Sequence, residues 1–170
     1  TSDTTFTAAE NQTSIGTVVA SDADGDTITY SISGSDITVN SSNGVIAFAS
    51  APDYETKTSY TATVTASDGT NTTTQNITVN VTNLNDNSPV FTSDTTFTAA
   101  ENQTSIGTVA ATDVDSEDSS ITFSISGSEL AITSAGVLTF TSAPDYETKT
   151  SYTATVTASD GTNTTTQNIT

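Results

Sequence analysis

Residues 50–78 read SAPDYETKTSYTATVTASDGTNTTTQNIT, and the same letters recur unchanged at 142–170. Within the block, Tyr60, Ala62, Val64 and Ala66 alternate with Thr61, Thr63 and Thr65. A period of two places successive side chains on opposite faces of an extended chain, so this stretch reads as a half-buried strand. Asp68-Gly69 is a turn signal, and beyond it Ile77, Val79 and Val81 alternate with Thr78, Asn80 and Thr82 as the returning strand. β-Branched Thr on the outward face suits a solvated pleated surface and disfavours helix.

Working outward, Thr1–Val18 (TSDTTFTAAENQTSIGTV) recurs letter for letter as Thr92–Val109. The offset is 91 residues in this block and 92 in the later one, so the copies differ by one net insertion in their diverged middles. Fixed-period self-similarity defines two repeats of about ninety residues, each long enough to bury its own core. The boundaries are 1–82 for the first repeat, 83–91 for a linker and 92–170 for the second, whose last strand reads as truncated. Turn signals at Asp24-Gly25, Asn43-Gly44, Ala51-Pro52-Asp53 and Asp68-Gly69 divide a repeat into about seven strands, near 4–8, 15–20, 27–33, 37–40, 45–49, 58–66 and 73–82. No helix-period stripe appears. The expectation is an all-β chain of two β-sandwiches in series.

Composition narrows the chemistry. Twenty Asp and Glu face two Lys (Lys57 and Lys149), for a formal net charge of −18, and Arg, His, Cys, Met and Trp are absent. Thr is about a quarter of the chain. Without His or Cys there is no His-activated nucleophile, no thiol couple and no ordinary zinc site. Without a basic patch, phosphate neutralisation fails, so nucleic acid and anionic membrane surfaces are excluded as partners. No apolar run is long enough to span a bilayer, and direct membrane insertion is not expected. Thr1 in place of an initiator Met points to a segment of something longer. The natural partner is a cation.

The acids recur in place. Glu10, Asp22, Asp24, Asp53, Glu55 and Asp68 of the first repeat correspond to Glu101, Asp113, Asp115, Asp145, Glu147 and Asp160 of the second, with Asp86 in the linker. A single Asp-Gly turn needs no ligand, because Asp is a favoured turn former. The whole set, with almost no Lys interspersed, is different. Two carboxylates about 4 Å apart repel by several kcal/mol at an effective dielectric near 20, so converging them requires a cation. Calcium, which takes 6–8 oxygen ligands, is the ion suited to carboxylates, amide oxygens and carbonyls. Paired acids such as Asp53 and Glu55 could otherwise suggest glycoside hydrolysis, but they recur in both repeats, and no enzyme is expected.

Glu10-Asn11, Asp22-Ala23-Asp24, Asp53-Tyr54-Glu55, Ala66-Ser67-Asp68 and Asn85-Asp86-Asn87-Ser88-Pro89-Val90-Phe91 together resemble the ordered motifs of cadherin repeats. The resemblance covers essentially the whole chain and implies a seven-stranded Greek-key β-sandwich, of immunoglobulin-like architecture, for each repeat. The Asp-Ala-Asp-Gly-Asp run and the Thr richness are more similar to cadherin-like repeats of large microbial surface adhesins. In this family calcium binds between successive repeats. Carried over, that implies up to three Ca2+ ions held by Glu10, Asp53 and Glu55, by the side chains of Asn85 and Asp86, by the carbonyls of Leu84 and Asn87, and by Asp113, Asp115 and Asp160. Asp22, Asp24 and Asp68 would face a preceding repeat, and Glu101, Asp145 and Glu147 a following one. Two departures stand out: Asn83 where the family's linker usually opens with Asp, and no counterpart of Gly25 in Asp113-Val114-Asp115-Ser116-Glu117-Asp118.

The expected function is a calcium-rigidified spacer of an extracellular, cell-surface adhesin, monomeric in isolation, with neighbouring repeats of the same polypeptide as partners. Two alternatives are carried. The repeats could themselves bind other cell-surface proteins or polysaccharides, although the N-terminal Trp of the family's strand-exchange mechanism is absent. They could also be a non-catalytic accessory domain of a secreted enzyme.

Overall fold

The alternating block folds as the sequence pattern requires. In a computed structural model, which describes residues 2–115 and 120–170, Ser59–Ser67 pairs antiparallel with Thr72–Thr82 through an unbroken nine-residue register. Ile77, Val79 and Val81 are buried on one face, at 1%, 0% and 5% exposure, while Thr78, Asn80 and Thr82 point away. Each such side chain contributes roughly 1.5–3 kcal/mol on leaving water. Ser116, Glu117 and Asp118 of the acidic loop lie outside the described residues.

The chain divides into two units, Thr1–Leu84 and Asn85–Thr170. The first contains β1 (Thr5–Ala9), β2 (Ser14–Thr17), β3 (Thr29–Ile32), β4 (Ile37–Val39), β5 (Val45–Phe48), β6 (Ser59–Ser67) and β7 (Thr72–Thr82). Its strands form one sheet in the order β1-β7-β6-β3 and another in the order β2-β5-β4. β1 runs parallel to β7, and the remaining pairs are antiparallel. This is a seven-stranded Greek-key sandwich. Its core gathers Ala8, Val18, Ile37, Ile46, Phe48, Val64, Ile77, Val79 and Val81 from both sheets. The second strand is shorter than the sequence suggests. It bulges between Ser14 and Gly16 and stops at Thr17, after which the Val18 N–H bonds to the carbonyl of Gly44 in the facing turn.

The second unit contains β8 (Val90–Phe91), β9 (Ser105–Thr108), β10 (Ala111–Thr112), β11 (Thr122–Ile125), β12 (Leu130–Ile132), β13 (Val137–Phe140), β14 (Ala154–Ser159) and β15 (Thr164–Ile169). They form sheets β11-β14-β15 and β12-β13-β9 and the short ribbon β10-β8. Val109, Leu130, Leu138, Val156 and Ile169 are its buried centre.

Two differences between the units follow from pairing. TTFTAA occurs at 4–9 and again at 95–100, yet only the first copy is a strand. β1 is held by Thr78–Thr82 of β7, whereas Thr170, the equivalent of Thr78, reaches only the start of the second copy, accepting from Phe97 N–H and donating to Thr95 O. Conversely, Ala111–Thr112 is a strand because Val90–Phe91 lies against it, and Ala20–Ser21 in the first unit is not.

Candidate metal centre

In the first unit Glu10 follows β1 and is 2% exposed. Its Oε2 accepts the Tyr54 N–H at 2.8 Å and its Oε1 accepts the Leu84 N–H at 2.8 Å. A carboxylate has about four lone-pair positions, so two remain for a cation. Asn11 beside it adopts φ 61°, a left-handed conformation that Asn tolerates, and donates its N–H to Pro52 O. Asp53 opens the turn before β6: its Oδ2 accepts the Thr56 hydroxyl at 2.8 Å and its Oδ1 the Thr56 N–H at 3.2 Å. The Thr56 hydroxyl holds the Asp53 carboxyl below the ordinary Asp range. These turns bring carboxylate oxygens of Glu10, Asp53 and Glu55 within 4.8 Å of one another. Like charges so placed repel one another, the more weakly where water screens them, as it does at the exposed Asp53 and Glu55.

The second unit repeats the cluster with Glu101, Asp145 and Glu147, also within 4.8 Å. Glu101 Oε2 accepts the Tyr146 N–H at 3.0 Å. The Thr148 hydroxyl, bonded to Asp145 Oδ2 at 2.9 Å, lowers the Asp145 carboxyl as Thr56 does Asp53.

At the start of the second unit the linker residues 85–87 lie against the carboxylates of Asp115 and Asp160. Asp115 is 0% exposed, and its Oδ2 accepts the N–H groups of Asp86 at 3.1 Å and Asn87 at 2.7 Å. The Asn87 side-chain amide donates to Asp115 Oδ1 at 3.2 Å and to Asp86 Oδ1 at 2.9 Å. Asp113 Oδ1 accepts the Asp115 N–H at 2.9 Å, while Asp113 Oδ2 is buried with no hydrogen-bond partner among the described residues. Asp160 Oδ1 accepts the Thr162 and Asn163 N–H groups at 2.7 and 2.6 Å. Burial pushes the Asp160 carboxyl up, but the Asn163 and Thr162 N–H groups and the Asn163 and Asn85 amides outweigh it and hold it below the usual range.

The first-unit equivalents are placed alike but stand more open. Asp22 Oδ1 accepts the Asp24 and Asp26 N–H groups at 2.9 and 3.2 Å. Asp68 Oδ1 accepts Asn71 and Thr70 N–H groups at 2.6 and 2.7 Å, and the Asn71 N–H foremost lowers its carboxyl. Asp22 and Asp68 are half-buried and Asp24 is exposed, whereas Asp113, Asp160 and Asp115 are buried.

One residue of this region is absent from the expected set. The Asn163 side-chain amide donates to Asn87 O at 2.7 Å, Asn85 Oδ1 at 3.0 Å and Asn85 O at 3.3 Å, fixing the linker over Asp160. Its signal was the recurrence of Asp-Gly-Thr-Asn at 68–71 and 160–163. Neither lysine neutralises the acids. Lys57 pairs with Asp36 at 2.7 Å and lies over the Tyr60 ring, and Lys149 pairs with Glu129 at 2.6 Å and lies over Tyr152. The donor set is therefore all oxygen, with an orphaned buried carboxylate atom in it, which fits a hard cation such as Ca2+.

Greek-key sandwiches bearing these acidic clusters define a class, that of immunoglobulin-like ectodomain repeats. The Cadherin domain family matches residues 4–82 and 95–170, and the chain belongs to that family. It is 41% identical to human Protocadherin Fat 4 over 147 residues, covering 77% of this chain and 3% of that protein. It is 37% identical to mouse Cadherin EGF LAG seven-pass G-type receptor 2 over 164 residues, covering 87% of this chain and 6% of the relative. The solved structure of human protocadherin-24 EC1-2 matches with a TM-score of 0.76 at 24% identity, covering 98% of this chain and 90% of that one. The chain is thus an extracellular, cell-surface type of tandem β-sandwich repeat, of the cell-adhesion class. Its relatives are adhesion proteins, not enzymes. Both named relatives are animal cadherins, and these matches give no support to a microbial-adhesin character. Thr on the outward face of a strand suits any solvated sheet, so that composition does not distinguish lineages.

Proposed function

We propose that this chain is a calcium-rigidified extender of a cell-surface adhesion protein, a spacer whose two repeats are locked by Ca2+ held at their linker. The first repeat contributes Glu10, Asp53 and Glu55. The linker contributes the Asn85 and Asp86 side chains and the Leu84 and Asn87 carbonyls, and the second repeat Asp113, Asp115 and Asp160. Up to three ions bind there, taking the formal charge from −18 to about −12. Glu101, Asp145 and Glu147, like Asp22, Asp24 and Asp68, serve neighbouring repeats of the same polypeptide and bind weakly without them.

The orphaned Asp113 Oδ2 beside the fully buried Asp115 carries the reading. A buried carboxylate oxygen with no hydrogen-bond partner among the described residues is costly, and a divalent ion is a partner that this oxygen-rich environment accepts. Chain connectivity agrees. Leu84 is held to Glu10 and Asp86 to Asp115, two residues further on, so the linker is anchored to the acids of each repeat in turn. Cadherin domains generally bind Ca2+ at repeat junctions. Near-identical repeats suit a spacer, because copy number sets reach and no copy needs a unique site. Partners are other cell-surface proteins reached through the rest of the polypeptide; polysaccharide binding has no support.

The test is a calorimetric calcium titration of the whole chain. At least one ion should bind with a midpoint of roughly 10⁻⁴ to 10⁻³ M, in the range of extracellular modules. Absence of binding at saturating calcium would overturn the reading, and light scattering that shows calcium-dependent self-association would move the function to the repeats themselves.

A further inference from the structure

Four oxygens converge on one nitrogen in the second unit. Asn163 Nδ2 lies 2.7 Å from Asn87 O, 3.0 Å from Asn85 Oδ1, 3.3 Å from Asn85 O and 3.4 Å from Asp160 Oδ2. An NH2 group carries two hydrogens, too few to serve four acceptors one each, whereas oxygens gathered about a point are what a hard cation takes. Three of the four, Asn85 Oδ1, Asn87 O and an Asp160 carboxylate oxygen, belong to the groups named above as calcium ligands. The side-chain amide of Asn71, the equivalent in the first unit, donates to Asp68 Oδ2 at 3.2 Å and to no other group among the described residues. The linker therefore completes the cage, and the Asn163 amide fills it.

From this we infer that the Asn163 side chain is a calcium-operated amide switch. Without the ion, Nδ2 holds the oxygens of Asn85 and Asn87 over Asp160. With the ion, the amide turns over and presents Oδ1 as a further ligand. The inference rests on the calcium reading above and adds to it a residue that is competitor in one state and ligand in the other. Nδ2 and a cation need the same oxygens, and N–H groups aimed at those oxygens set their positive ends against a divalent charge. Reversal is easy, because the terminal torsion of Asn is broad and roughly two-fold, and an Asn carbonyl is among the oxygens that calcium accepts. The loop need not move with it. The Asn163 N–H stays on Asp160 Oδ1 at 2.6 Å, and the Asn163 carbonyl accepts the Asp160 N–H at 3.3 Å.

The test follows the Asn163 Nδ2 protons by NMR in the whole isotope-labelled chain as calcium is added, with calorimetry on the same sample. In EDTA these protons should exchange slowly with solvent, and at calcium saturation at least about tenfold faster, as donors released to water. Asn163→Asp removes the donor and supplies a carboxylate oxygen, so calcium affinity should rise at least about tenfold. Protons that stay protected at saturation, or an Asp variant that binds no tighter, would overturn the switch and leave Asn163 a fixed strut of the linker. Should the variant not fold, the proton readout on the parent chain decides. Calorimetric binding with protected protons defeats the switch while the calcium site stands. Absence of calorimetric binding defeats the calcium reading, and the switch with it.

Discussion

Asp115 Oδ2 accepts the main-chain N–H of Asn87 at 2.7 Å while the Asp115 side chain is entirely shielded from solvent. The carboxylate therefore has two roles, as acceptor for the linker backbone and as charge. An Asp115→Asn substitution separates them in part: the amide oxygen can still accept the Asp86 and Asn87 N–H groups while the charge is removed, and the NH2 then faces the Asn87 side-chain amide in place of Oδ1. Calcium affinity should fall at least about tenfold, a loss of about 1.4 kcal/mol or more. In chelator, stability should stay within about 1 kcal/mol of the parent, since repulsion from Asp113 is relieved as the hydrogen bond weakens. Calorimetry and urea denaturation in EDTA measure the two quantities. Equal losses with and without calcium would make Asp115 a fold element only.

Calcium removal should act on the linker before it acts on either sandwich, because each unit has its own apolar core and needs no ion to close it. Small-angle scattering should show a changed maximum dimension on adding EDTA while the strand signal in circular dichroism persists. Asp86→Ala should shift the calcium midpoint to higher concentration in the same direction, by about tenfold for the loss of one carboxylate ligand. A dimension that does not respond to chelation, or a midpoint that does not move, counts against the clamp.

The β6–β7 hairpin was legible because its information is local: alternation of Tyr60, Ala62 and Val64 with Thr, a turn at Asp68-Gly69, and alternation again. The parallel pairing of β1 with β7 was not, since the partners lie 73 residues apart and nothing in TTFTAA announces a parallel neighbour. The acids were legible by recurrence, and the turns do gather Glu10, Asp53 and Glu55. Asn163 escaped notice because Asn is an ordinary turn residue; its equivalent Asn71 bonds Asp68 in the same way, and only Asn85 and Asn87 beneath Asn163 give it a second task.

Acid should remove the stabilisation that the depressed carboxyls give the calcium-free chain. Asp53, Asp68, Asp145 and Asp160 all sit below the ordinary Asp value in the folded protein, through bonds from Thr56, Asn71, Thr148 and Asn163. A group with a lowered folded pKa stabilises the fold above its unfolded value, about 3.9 for Asp, and loses that contribution as pH falls through the folded value. Urea midpoints should therefore decline as pH drops below about 4. Asp68→Asn should make the decline shallower. A decline of unchanged steepness in that variant would remove Asp68 from the account.

Gly44 and Gly25 provide a matched pair for the turns. Gly44 has φ 70°, and a Cβ there would sit 2.2 Å from the Val18 carbonyl oxygen, in main chain that cannot swing aside. Gly25 has φ 84° with nothing within 4 Å of its Cβ position. Gly25→Ala should cost only the left-handed backbone term, about 1–2 kcal/mol. Gly44→Ala adds a clash against Val18, whose N–H is tied to the Gly44 carbonyl at 2.9 Å, and should cost about 3 kcal/mol or more. Urea denaturation at fixed calcium compares them directly. Equal costs would show that the β4–β5 turn yields at Val18 and that the close approach carries no energetic weight.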